Sequence, residues 1–186
     1  MSRTLLITVV AFGLLVAAGA VSAQNDPIGK IDTLTLVVEE LSPGKWMISA
    51  QIWNDEELAA FDIPIKYTAG MAKLVVDSVS YKKTRMENFA QKLNPIDTAK
   101  QVMHFGGFAY MSPDKPPMAP GNGEVARIYI SATGDKQPGT FAVDTATIAP
   151  NNTLMLVDKE AKIIVPAFRI ISKEAAGEKK TPEGKK

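Results

Sequence analysis

The chain has no cysteine among its 186 residues and only one histidine. Without cysteine there is no disulfide framework, no thiol nucleophile and no Cys-ligated zinc or iron–sulfur centre. With one imidazole, a His-clustered metal site is impossible and a Ser-His-Asp relay would have to be built around His104. Aromatic residues make up only 7% of the chain, and neither sign of charge prevails, with 21 basic and 20 acidic residues. Nucleic-acid recognition calls for a basic patch interleaved with aromatics, which is missing here. Stability therefore has to come from packing.

Long apolar runs are confined to the amino terminus. Arg3, the run from Leu5 to Ala18 and the small residues Val21-Ser22-Ala23 form the three parts of a secretory signal, so residues 1–23 are expected to be a signal peptide. The run is about fourteen residues long, short of the roughly 20 that span a bilayer. The mature chain is thus expected to begin near Gln24, to be secreted or periplasmic, and to have no membrane span. At the other end, residues 173–186 hold Lys and Glu with no large apolar side chain, a composition that predicts a disordered charged tail. What remains, residues 24–172, is long enough for one domain with a real core.

Within that domain, alternation with period two recurs and helical periodicity does not. Strands are expected over Ile31–Val38, Lys45–Trp53, Ala60–Tyr67, Lys73–Tyr81, Val102–Met111 and Glu124–Ala132. Thr140–Ile148, Leu154–Val157 and Lys162–Ile171 complete the set. Trp46, Ile48, Ala50 and Ile52 fall on one face of the second strand, and Phe61, Ile63, Ile65 and Tyr67 on one face of the third. Pro64 cannot donate to a ladder, which places the third strand at an edge or a bulge. About nine short strands with frequent turn signals predict an all-β fold, an antiparallel sandwich of two packed sheets.

Three stretches resemble the cohesin family, within the bacterial β-sandwich superfamily that also holds several carbohydrate-binding modules. They are Ala59 to Tyr67, Lys73 to Val79, and the Gly-rich turn and strand from Ala119 to Ile128. The resemblance implies jelly-roll topology and a non-catalytic module that holds a dockerin on one sheet face. Carried across, the partner-binding residues would be Asp62 on the third strand with Phe105, Gly107, Ala109 and Tyr110 on the Val102 strand. Alternation there adds Met111, by placing an apolar stripe of Met103, Phe105 and Met111 opposite His104 and Phe108.

Other chemistry is thin. His104 reads as a packed or hydrogen-bonded ring, no G-x-S-x-G elbow accompanies it, and no pair of carboxylates is singled out for acid–base work. Gly106-Gly107 marks a bulge or a close backbone approach. Asp55-Glu56-Glu57 could supply oxygen ligands to a calcium ion, but it matches no EF-hand loop and reads first as a solvated turn of like charges, so no metal and no cofactor are expected. Trp53 shares a face with Ser49 and Gln51 and is either a stacking ring for sugars or a cap on the sandwich. The expected function is that of an exported monomer that binds an extracellular or envelope protein of dockerin type. The alternative is a carbohydrate-binding module that recognises polysaccharide through Trp53.

Overall fold

A computed structural model describes residues 26–173 apart from positions 111 and 151. The expected signal peptide, the tail beyond Lys173 and Met111 lie outside the described residues. Lys173 itself, assigned to the tail by composition, ends the last strand and pairs with Glu39.

Among the described residues, twelve strands make two sheets. The first sheet contains β1 (Thr33–Ser42), β2 (Lys45–Asn54), β4 (Lys73–Ser80), β8 (Gly121–Thr133) and β12 (Ala167–Lys173), in the order β12-β1-β2-β8-β4. The second contains β3 (Leu58–Ala69), β5 (Gln91–Leu93), β6 (Ile96–Asp97), β7 (Val102–Phe108), β9 (Phe141–Thr145), β10 (Met155–Asp158) and β11 (Ile163–Ile164). Its spine is β11-β10-β3-β7-β5, with β6 also pairing to β7 and β9 to β3. Among the described residues no helix is long and apolar enough to cross a membrane.

The two-sheet sandwich agrees with the alternation, because side chains in phase on facing strands meet in one dry layer. Trp46, Ile48, Ala50 and Ile52 of β2 are buried on one side, and Phe61, Ile63, Ile65 and Tyr67 of β3 on the other. Burying each large apolar side chain contributes about 1.5–3 kcal/mol before chain entropy is set against it. Trp46 stacks on Phe141 with ring centroids 4.7 Å apart, and Phe61 lies against Phe89 at 5.7 Å.

Four expectations need correction. The first sheet is mixed, because β12 runs parallel to β1 from the pair Thr33 and Ala167 to the pair Glu39 and Lys173. The strand expected over Lys162–Ile171 is two strands in different sheets, since Pro166 cannot donate to a ladder and the chain changes layer there. Pro64 lies in a central strand. Its carbonyl accepts from Ala146 N at 3.0 Å, so its missing N–H points to the same side, where β10 pairing stops at Asp62 and β9 pairing starts at Ile65.

The fourth correction concerns the Val102 strand. β3 and β7 are antiparallel with Ile63 opposite Phe105, Ile65 opposite Met103 and Phe61 opposite Gly107. Paired residues share a face, so the stripe expected outside is inside: Met103 is 1% exposed and Phe105 0%. Gly107 and Ala109 are buried with them. Both faces of this strand carry apolar residues, and only its partner decides which one is inward.

Glycine is required inside this ladder. A Cβ on Gly107 would lie 2.0 Å from the carbonyl oxygen of Gln91 and 2.4 Å from the Met86 methyl, and one on Gly106 would lie 2.1 Å from the carbonyl oxygen of Phe61. Gly107→Ala is expected to lower stability by about 1–3 kcal/mol, read as a lower urea midpoint at unchanged m value. A wild-type midpoint would contradict the packing.

Candidate functional site

The outer face of the second sheet is built by register. One rung across it runs Leu93, Gly106, Asp62, Met155, and the next runs Gln91, Phe108, Ala60, Val157, Ile163. His104, two residues along β7 from Gly106, reaches diagonally to Asp62 with Nδ1 3.0 Å from Oδ1, and both side chains are 20% exposed. Leu93, Tyr110 and Ile163 stand 49–58% exposed around this pair. The Tyr110 ring meets the Phe108 ring edge-on at 5.7 Å, and its hydroxyl accepts from Gln91 Nε2 at 3.0 Å. A hydrogen-bonded Asp–His pair thus sits among apolar side chains on an open sheet face.

Of the residues expected on this face, Asp62 and Tyr110 are there. Phe105, Gly107 and Ala109 are in the interior, and their places on the exposed face of β7 and β5 are taken by His104, Phe108 and Leu93. Leu93 was not legible because β5 is three residues long, too short for alternation to register. Trp53 is half-buried on the outer face of the other sheet, opposite Thr33 and Asn122. A shallow groove of about 590 Å³ beside the Trp46–Phe141 stack carries only Glu40 and Lys173 as ionisable lining groups.

A second constellation lies where the chain approaches β1 and at the β2–β3 turn. Asp26, Asp32, Asp55 and Glu56 each bring a carboxylate oxygen to within 4.8 Å of the others. Asp26 accepts from Ile28 N at 3.0 Å and from Asp32 N at 2.9 Å, while Asp55 accepts from Lys30 N at 2.8 Å. Gly29, at φ +64°, permits that approach, since a Cβ would lie 2.3 Å from Asp55 Oδ2. Asp32 is 0% exposed. With both acids ionised, neither of its carboxylate oxygens, nor either of those of Glu56, has a hydrogen-bond donor, whereas a protonated Glu56 donates to Asp32.

Burial pushes Glu56 up to about 8, assisted by the neighbouring Asp32 and Asp55 carboxyls. Burial likewise raises Asp32 to about 6. Asp55 is held low, first by the bond from Lys30 N–H. The Arg85 guanidinium, within range of the Asp32 charge, gives its N–H groups to the carbonyls of Ile52, Gly121 and Ala119 and to Asn54 Oδ1, none of them in the cluster. Glu57, expected in the same solvated turn, faces away and pairs with Lys159 at 2.6 Å. Asp32 left a trace in the sequence: it lies in phase with the inward set Leu34, Leu36 and Val38, where a carboxylate is out of place. Asp26 left none.

A scan against protein-family models and a search of curated proteins each find no match. Solved structures do match. The OlpA cohesin of Clostridium thermocellum, solved as a type I cohesin–dockerin complex, has a TM-score of 0.59 at 11% identity, covering 77% of this chain and 100% of that one. The third ScaC cohesin of Acetivibrio cellulolyticus, solved with the ScaB dockerin, has a TM-score of 0.60 at 11% identity over 78% and 98%. CaCohA2 of Clostridium acetobutylicum has a TM-score of 0.52 at 17% identity over 78% and 86%. This chain has the fold of the cohesin domains.

Raised carboxyl pKa values make stability depend on pH with a definite sign. Asp32 and Glu56 bind protons more tightly folded than unfolded, so their contribution is complete below about pH 4 and is lost as the pH rises through about 6 and about 8. Asp55 acts in the opposite sense, with stability lost only as the solution becomes acid enough to protonate it. In EDTA, the melting temperature is expected to fall between about pH 5 and pH 8, and Glu56→Gln to flatten that slope. A wild-type curve flat or rising over this range would contradict the buried pair.

Proposed function

We propose that this chain is a non-catalytic, exported interaction module that docks a dockerin-type extracellular or envelope protein on the outer face of its second sheet. One observation carries the reading: that face leaves Leu93, Tyr110 and Ile163 exposed, with Phe108 half-buried beside Tyr110, around the half-buried Asp62–His104 pair. Apolar side chains clustered about a fixed polar anchor have the make-up of the centre of a protein interface. Support comes from the shared fold, since the OlpA and ScaC cohesins were solved bound to dockerins.

In this reading Phe108 and Tyr110 supply apolar contact area. The Asp62–His104 pair is held by its own hydrogen bond before a partner arrives, so little ordering remains to be done on binding. Gly106, between Leu93 and Asp62 on their rung, keeps the surface flat enough for a helix or strand to lie across it. Export rests on the sequence pattern of residues 1–23.

Titration against a panel of type I and type II dockerin modules, loaded with calcium, tests the proposal. Binding by at least one is expected, weakened at least about thirtyfold by Phe108→Asp. Tyr129→Asp, on the outer face of the other sheet, is expected to leave affinity within about threefold. No binding by any dockerin, or equal loss from both variants, would overturn the assignment of this face.

A further inference from the structure

We propose that Asp26, Asp32, Asp55 and Glu56 form a binding site for a calcium-class divalent cation, which would fasten the segment leading into β1 to the β2–β3 turn. Geometry comes first. Calcium takes oxygen ligands at about 2.3–2.6 Å, so ligands on opposite sides of one ion stand up to about 5 Å apart. The four carboxylate oxygens, all within 4.8 Å of one another, fit such a shell. Magnesium prefers to keep several of its waters and engages one or two carboxylates, so four protein carboxylates favour calcium.

The second observation is independent of the clustering. Among the described residues, five buried side-chain polar atoms lack a hydrogen-bond partner, and four of them are the carboxylate oxygens of Asp32 and Glu56. The fifth is the hydroxyl of Tyr67. Asp32 is fully enclosed, with a carboxylate oxygen within 4.8 Å of one from each of the other three acids. A carboxylate in that position is costly unless a positive charge meets it. Among the described residues no lysine or arginine makes a salt bridge to any of the four, and Arg85 is occupied by carbonyls and Asn54.

The remaining two acids are pre-aimed. Backbone N–H groups of Ile28, Asp32 and Lys30 fix the Asp26 and Asp55 carboxylates, and each bonded oxygen keeps a lone pair for a metal. The carbonyl of Asp32 accepts from Ala167 N at 2.7 Å, at the start of the parallel β1–β12 pair. An ion held here therefore braces the edge of the first sheet as well as the turn. None of this depends on the docking face.

The test uses the full chain, stripped with EDTA and dialysed at neutral pH, in scanning calorimetry and titration calorimetry with calcium chloride or magnesium chloride. Calcium is expected to bind with Kd at or below about 1 mM and to raise the melting temperature by about 4 °C at about 10 mM, with a smaller magnesium effect. Asp32→Asn is expected to raise the calcium-free melting temperature at neutral pH, by removing a buried charge, and both Asp32→Asn and Glu56→Gln are expected to abolish the calcium response. Two results would overturn the site: wild type indifferent to calcium, with the pair neutralised by a shared proton alone, or both variants responding as wild type does. Should Asp32→Asn fail to fold, Glu56→Gln decides the matter alone.

Discussion

The antiparallel ladder between β3 and β7 decides what this molecule shows to solvent, and the rest of the structure follows from its register. With Ile63 opposite Phe105, the aromatic and aliphatic set of β3 meets that of β7 in one layer. Sliding either strand by one residue would turn Met103 and Phe105 outward and draw His104 into the core. Two features hold the register. Gly107 accepts the close approach of the Gln91 carbonyl and the Met86 methyl, where any larger residue would collide. The Asp62–His104 bond forms only when the two stand one diagonal step apart on the same face.

From that ladder come two regions of different character. The outer side of β10, β3, β7 and β5 is open, partly apolar and anchored by a hydrogen-bonded pair, which suits a partner surface. The β2–β3 turn, at the start of the same strand β3, brings Asp55 and Glu56 against Asp26 and Asp32 in a small acidic enclosure. At 11–17% identity, what this chain has in common with the OlpA, ScaC and CaCohA2 cohesins is the layered fold. Its outward residues and its acidic enclosure are argued from its own geometry.

Alternation was legible wherever the two faces of a strand differ in polarity. β2 and most of β3 read correctly for that reason, with Ile48 and Ile63 inward and Gln51 and Lys66 outward. It failed on β7, where His104 and Phe108 alternate with Phe105 and Met103 and neither face is plainly polar. Pairing direction leaves no mark on a single strand, so the parallel neighbour of β1 was not foreseen. β5 and β6, of three and two residues, exist because β7 offers them an edge and not because of their own pattern. The acidic enclosure joins residues separated by more than twenty positions, from Asp32 to Asp55, and contact at that range is a property of the fold.

Because the chain has no cysteine of its own, a thiol placed on β7 reports its face without interference. Single variants His104→Cys and Phe105→Cys, exposed to a maleimide under native conditions, test the register most directly. The thiol at position 104 should react while the protein stays folded, and the thiol at 105 only at the rate of global unfolding measured on the same variant. Fast native labelling at 105 with protection at 104 would reverse the two faces and with them the proposed docking surface.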